Sequence, residues 1–223
     1  MDTDTALAAR LARDLDAAFP ALVEDHQDRL FTIALRLLGD SRDAEEVAQD
    51  ALVRAFRAIA GYPPERTVAL HLRPWLAAIT VNLARNKRRR HDDRHPAVQL
   101  EPMLGDGFEP ADEARHEPQT QAVGREANEA MTATLGQLPP AIRVAIVLRH
   151  VDGLSVAETA EALGRPEGTI KAQVARGLER LRKLLIEAEH GATPARYRAS
   201  SGSGAPYSPS NQRRGFAAAE VIS

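Results

Sequence analysis

Apolar residues recur at three- and four-residue spacing through most of this chain, and no stretch alternates apolar with polar residues over the length of a strand. Such a period builds helices that bury one stripe, and it lacks the alternation of a half-buried sheet. The fold class read from it is all-α. Phe19, Leu22, Val23, Leu30, Ile33, Ala34 and Leu37 mark one amphipathic helix, interrupted at Gly39-Asp40-Ser41. Ser41 or Asp43 then caps a second, with Ala44, Val47, Ala48, Ala51, Leu52, Ala55, Phe56 and Ile59 as its apolar face and Gly61-Tyr62-Pro63-Pro64 as its stop. A third runs from about Leu72 to Arg90, with Leu72, Trp75, Leu76, Ile79 and Leu83 on one stripe. Cations gather at its C-terminal end, where they suit the helix dipole. Trp75 lies on the stripe and reads as a core anchor, not as a platform for a nucleobase.

Aromatic residues make up only 4% of the 223 positions, which fits two small helical domains better than one large core. From His91 to about Arg125 the period disappears among Pro96, Pro102, Gly105, Gly107, Pro110 and Pro118, and the segment is acidic. It reads as an extended linker. The period returns with Met131, Leu135 and Leu138 and carries through Ile142, Ala145, Ile146 and Leu148. After about His190 the chain is rich in Ser, Gly, Pro and Ala without an apolar face. The expected plan is an N-terminal extension at 1–18, a helical domain at 19–90, an acidic linker at 91–127, a second helical domain at 128–190 and a disordered, dispensable tail at 191–223.

The formal net charge of −2 conceals opposed patches, a basic one from Arg85 through Arg94 and an acidic one from Glu101 to Glu117. Cysteine is absent, which excludes disulfides, thiolate zinc sites and cysteine catalysis. The N-terminus lacks a secretory pattern and no apolar run approaches the ~20 residues of a membrane span, so a cytoplasmic protein is expected. The histidines are scattered, and His91 and His95 with Asp92 and Asp93 read as a solvated charge run. Neither a phosphate-binding glycine loop nor a nucleophile motif is present, so no enzyme, metal or cofactor is expected.

The most informative segment runs from Leu154 to Leu185. Ser155 and Glu158 form a capping box that starts a helix, and Gly164 suits its left-handed stop. Pro166 opens a second helix whose buried side reads as Ile170, Val174, Leu178, Leu181 and Leu185. Two helices joined by so short a turn make a helix-turn-helix, with Thr169, Lys171, Ala172, Gln173, Arg176 and Arg180 on or near its outer side. Small and polar residues at the leading end admit a helix to the major groove, and Gln173 suits adenine. An ordinary helical hairpin with a solvated face reads from the same residues, as does a dimeric helix-turn-helix regulator that binds palindromic operators.

Asp43-Ala44-Glu45-Glu46-Val47-Ala48-Gln49-Asp50 with Arg54-Ala55-Phe56 resembles the second conserved region of bacterial sigma factors, and Arg73-Pro74-Trp75-Leu76 with Ile79 and Asn82 their promoter-melting segment. Leu138-Pro139-Pro140, Val151 to Glu158 and Pro166-Glu167-Gly168-Thr169-Ile170-Lys171 resemble the fourth region. The chain is thus similar, over roughly Phe19 to Glu187, to sigma factors of the two-domain, extracytoplasmic-function type. The resemblance implies a transcription initiation factor that binds core RNA polymerase through Asp43, Glu46, Gln49, Asp50, Arg54 and Arg57. It implies capture of minus-ten bases by Asn82 and Asn86, with Arg85, Lys87, Arg88, Arg89 and Arg90 neutralising phosphates. It also implies minus-thirty-five recognition through Arg165, Glu167, Gly168, Thr169, Lys171, Ala172, Gln173 and Arg176. An anti-sigma partner and a monomer when free are further implications, and Asp106, Glu109, Asp112 and Glu113 become candidates for mimicking nucleic acid in the polymerase cleft. Ile142 before Arg143, Ala172-Gln173 and Gly177 depart from common family residues, and Gly177 reads as a small loss of helix propensity. The promoter sequence, regulon and signal do not follow from the sequence.

Overall fold

The computed structural model describes residues 3–94 and 128–191, and all regular structure among them is helical. The expected linker core, with Asp106, Glu109, Asp112 and Glu113, and the tail beyond Gly191 lie outside the described residues. The first unit comprises α1 (Thr3–Arg13), α2 (Leu15–Leu38), α3 (Ser41–Ala60), the short α4 (Pro64–Val68) and α5 (Leu72–Arg94). The second comprises α6 (residues 128–136), α7 (Pro140–Ile146) with a π-helical turn at Val147–Val151, α8 (Val156–Leu163) and α9 (Glu167–Gly191).

Short-range chemistry sets the boundaries. Asp14 starts α2 by accepting the Ala17 amide at 3.1 Å, and Gly39, at φ +85°, ends it in the left-handed conformation that glycine adopts without penalty. The cap of α3 is Asp40, which accepts the Asp43 amide at 2.8 Å, and not Ser41 or Asp43 as the sequence suggests. The capping box of α8 forms as read. Ser155 Oγ accepts the Glu158 amide at 3.1 Å and Glu158 Oε2 accepts the Ser155 amide at 2.7 Å. Those bonds hold the Glu158 carboxyl below its ordinary pKa.

Leu22, Leu30, Ile33, Leu72 and Leu76 are fully buried where α2, α3 and α5 pack together, and the Phe19 and Phe56 rings meet edge to face at 5.0 Å. Trp75 packs against this core. The N-terminal extension expected at 1–18 is instead part of it: Leu7, Ala8 and Leu11 of α1 are buried against the rest of the unit. Beneath α1 lies His26, 4% exposed, whose pKa burial depresses. Asp4 and Asp25 oppose that shift, while Arg29 and Arg73 reinforce it. A depressed histidine binds its proton more readily in the unfolded chain, so stability is fully present above the unfolded value and falls as pH drops through it. Thermal unfolding of His26→Gln should therefore lose less stability than the parent between about pH 7.5 and about pH 5. Equal losses would remove His26 from the account.

In the second unit Leu135, Leu138, Leu148, Leu154 and Ile170 are buried. Gly177 sits inside this packing, where a Cβ would meet Ile146 Cγ1 at 2.6 Å and Ile142 Cγ2 at 2.9 Å. It is a close-approach residue between α9 and α7, not the mere loss of propensity that the sequence suggested. Gly177→Ala is expected to lower the melting temperature, because overpacking costs roughly 1–3 kcal/mol and the helix gain returns only about 1 kcal/mol. A higher melting temperature would show that Ile146 moves aside freely.

The two units share one continuous apolar cluster, in which Leu154 and Leu148 join Leu37 and Leu76. At its edge Arg29 of α2 donates from Nη2 to Asp152 Oδ2 at 2.6 Å, with its Nε against the other carboxylate oxygen. The Asp152 side chain is wholly buried. Arg29 also donates to the Arg73 carbonyl at 3.2 Å, and Arg73 to the Asp152 carbonyl at 2.9 Å. Arg143 crosses the seam to the Leu37 carbonyl at 3.1 Å, and Arg36 reaches the Asn128 carbonyl at 2.6 Å. On the surface His71, just before α5, meets Glu161 of α8 at 3.0 Å, a bond that raises the histidine pKa. Charge pairs and apolar contacts therefore hold the units in one closed body.

Candidate nucleic-acid interface

Three exposed helix faces carry the residues singled out in the sequence. On α3, Glu46, Gln49, Asp50, Arg54 and Arg57 are exposed and Asp43 is half-buried, because Ala44, Val47, Ala48, Ala51 and Ala55 take the core side. Val53 also lies on the open side, 47% exposed, three residues after Asp50 and four before Arg57. A large apolar residue off the buried stripe of an amphipathic helix is the signal that finds it.

On α5, Asn82 and Asn86 are exposed one turn apart, so they share a face. Arg85, Arg88, Arg89 and Arg90 are exposed around them, while Leu83 and Ala84 are buried. Lys87 turns back toward α3. Its Nζ lies 3.0 Å from Asp43 Oδ1 and in direct contact with Glu46 Oε2. The lysine grouped with phosphate-binding cations is therefore paired with two acids grouped on another surface. Partly exposed pairs of this kind contribute about 0–1 kcal/mol, so a competing phosphate or protein surface can replace them.

On α9 and the turn before it, Glu167, Gly168, Lys171, Ala172 and Arg176 are exposed, and Arg165 and Thr169 are half-buried. Lys171 pairs with Glu167 at 3.5 Å, and Arg176 Nε donates to the Ala172 carbonyl at 3.1 Å. Gln173, expected on the outer side, is 8% exposed and shares the inward face with Ile170 and Gly177. Its Oε1 has no donor among the described residues. In this closed arrangement it faces packing and not solvent, whereas Leu185, expected inside, is 40% exposed. The leading end of α9 presents small and cationic groups behind a firmly capped α8, the arrangement a helix needs to enter a major groove.

Among the described residues no group of three or more acidic or histidine side chains is placed to hold a metal ion, and no helix is long and apolar enough to cross a membrane.

Comparison with known proteins matches both units to family models: Sigma-70 region 2 over residues 22–94 and Sigma-70 region 4 over residues 128–181. The chain is 31% identical over 189 residues to the extracytoplasmic-function (ECF) RNA polymerase sigma factor SigE of Mycolicibacterium smegmatis, covering 83% of this chain and 70% of that protein. It is 29% identical over 178 residues to the ECF sigma factor SigW of Bacillus subtilis, covering 75% and 89%. Among solved structures, CnrH in complex with the cytosolic domain of CnrY superposes with a TM-score of 0.62 at 26% identity, covering 83% of this chain and 99% of that one.

Proposed function

The chain belongs to the extracytoplasmic-function class of sigma factors, which direct RNA polymerase to promoters, and we propose how its surfaces divide that work. As in its family, it acts by binding and not by catalysis. The exposed face of α3, with Asp43, Glu46, Gln49, Asp50, Arg54 and Arg57 around Val53, binds core polymerase. Asn82 and Asn86 of α5 capture unpaired minus-ten bases while Arg85 and Arg88 to Arg90 meet phosphates, and Lys87 joins them when it leaves Asp43 and Glu46. Arg165, Glu167, Gly168, Thr169, Lys171, Ala172 and Arg176 meet the minus-thirty-five element. The observation that carries this division is that the three exposed faces belong to separate elements of two tethered units, at 3–94 and 128–191, so each binds its target independently.

Reading both elements requires the closed body to open. Elements about 25 base pairs apart are separated by roughly 85 Å of duplex at ~3.4 Å per pair. A compact body of this size has a radius of gyration near 15 Å and spans roughly 40 Å. Residues 95–127 join the units, and at ~3.3 Å per residue they reach up to roughly 110 Å. Where the polymerase resides, in the cytoplasm, the free chain is a monomer, and an anti-sigma partner covers the α3 face; the similar CnrH is itself held in complex with the cytosolic domain of CnrY.

Run-off transcription with purified core polymerase on a library of promoter fragments tests the proposal. Discrete transcripts that require the protein and share two spaced elements are the expected result. A stable dimer that binds a palindrome without polymerase would overturn it. Asp50→Lys should weaken association with core polymerase about tenfold or more in a fluorescence titration, with an unchanged melting temperature and unchanged binding of isolated DNA. Loss of folding would instead make Asp50 a structural residue.

A further inference from the structure

At the seam between the units lies a half-open cavity of about 240 Å³ with a largely apolar floor, ringed by Arg85 and Arg88 of α5, Arg143 of α7 and Arg165 of the turn before α9. No acidic side chain among the described residues lines it. None of the four guanidinium groups has a carboxylate at ion-pairing distance among the described residues. Arg143 is 5% exposed and spends its Nη atoms on the carbonyls of Leu37, Gly136 and Leu138, while its Nε is buried without a protein acceptor. Burial and Arg165 both lower the pKa of Arg85, and burial and Arg88 both lower that of Arg143. Closing the two units thus brings like charges together and leaves them uncompensated.

We propose that this seam is a binding site for a pyrophosphate group, either free or as the diphosphate of a nucleotide. Guanidinium forks match phosphoryl oxygens two at a time, a role left to Arg85, Arg88 and Arg165, since Arg143 has its Nη atoms on carbonyls and adds its charge and one Nε–H; a diphosphate supplies the several negative charges such a cluster calls for, which a lone carboxylate does not. The cavity holds about eight times the ~30 Å³ share of one liquid water, room for the nine heavy atoms of a pyrophosphate. Arg85 and Arg88 come from one unit and Arg143 and Arg165 from the other, so the site is whole only in the closed body. A ligand bound there stabilises the closed form by linkage. Where Arg85, Arg88 and Arg165 serve as DNA contacts, as proposed above, the same ligand competes with promoter DNA.

Isothermal titration of the full-length chain with inorganic pyrophosphate, at fixed ionic strength and without DNA or polymerase, tests the site apart from the sigma-factor assignment. One site per chain is expected, with affinity well above that for sulfate. Arg85→Ala and Arg165→Ala should each weaken binding about tenfold or more. Asp152→Asn is the sharper variant, because Asp152 does not line the cavity yet holds the units together. Arg29→Gln reaches the same end should Asp152→Asn fail to fold. Both should weaken pyrophosphate binding, whereas general attraction to a basic surface would not register either change. Titration with ADP and GDP distinguishes the sources: tighter binding than pyrophosphate assigns a nucleotide, and equal binding assigns the free diphosphate. Pyrophosphate binding no tighter than sulfate, or undiminished in the variants with parted units, means an adventitious ion only and overturns the proposal.

Discussion

Replacing Asp152 with alanine should destabilise the closed body by about 3–5 kcal/mol, the usual result of leaving one member of a buried ion pair without its partner. Arg29, only 16% exposed, would keep its charge at the seam without the carboxylate it is bonded to. The Arg73 bond to the Asp152 carbonyl is a backbone contact and survives the substitution itself, but it cannot compensate a charge. Because the pair lies on the seam and not within either unit, most of the loss falls on docking. Denaturant unfolding should change from one transition into two, and small-angle scattering should report a larger radius of gyration. The double variant Arg29→Met/Asp152→Leu should recover much of the closed form, since apolar replacements of a buried pair are often neutral or stabilising. A single, merely weaker transition in Asp152→Ala would place the pair's contribution inside one unit and remove it as the clasp.

A looser clasp has a functional sign as well. If opening precedes promoter reading, the energy that holds the seam is subtracted from binding energy in the promoter complex. Asp152→Ala should then raise the affinity of the assembled holoenzyme for promoter DNA or speed its loading, even as the free protein becomes less stable. Lower promoter affinity with intact folding of each unit would mean that the seam persists in the complex.

Features governed by near neighbours were open to reading in the sequence, and those governed by distant partners were not. The Ser155 and Glu158 box needs only residues three apart, and it forms as read. The faces of α3 and α5 follow from spacing alone, so their core sides were legible, down to Trp75. The α3 cap missed by one position because Asp40, Ser41 and Asp43 all offer capping oxygens, and only backbone geometry chooses among them. Leu7, Ala8 and Leu11 lie among charged residues and give too short a stripe to announce α1, which is held by packing on the rest of the unit. Arg29 and Asp152 are 123 positions apart and each reads as ordinary surface charge. Lys87 sits in a run of cations, and nothing local shows that it turns to Asp43 and Glu46. Gln173 was misplaced for a related reason: Gly177 lets α9 approach α7 closely, which brings the 173 and 177 positions inside.

The second large effect should appear in promoter opening. Asn82→Ala removes an exposed amide from α5, next to Leu83, whose own burial fixes the helix against the core, so folding and duplex affinity should stay near parent values. A base extracted from the stack costs a few kcal/mol to expose, and a good amide pairing to its edge returns about 1–3 kcal/mol. Losing one such contact should therefore lower open-complex formation by about tenfold to a hundredfold, read by permanganate reactivity of unpaired thymines. A template carrying a pre-melted minus-ten region should recover most of that loss, because pairing and stacking no longer oppose capture. Asn86→Ala, one turn further along the same face, should give a defect of the same kind, and the double variant should exceed either alone. Lys87→Ala behaves differently under this account: its charge contacts phosphate only after leaving Asp43 and Glu46, so its loss should reduce affinity for melted and duplex templates alike and flatten the salt dependence of binding. Were Asn82→Ala to weaken duplex binding as strongly as opening, α5 would be acting through its charge rather than by holding bases.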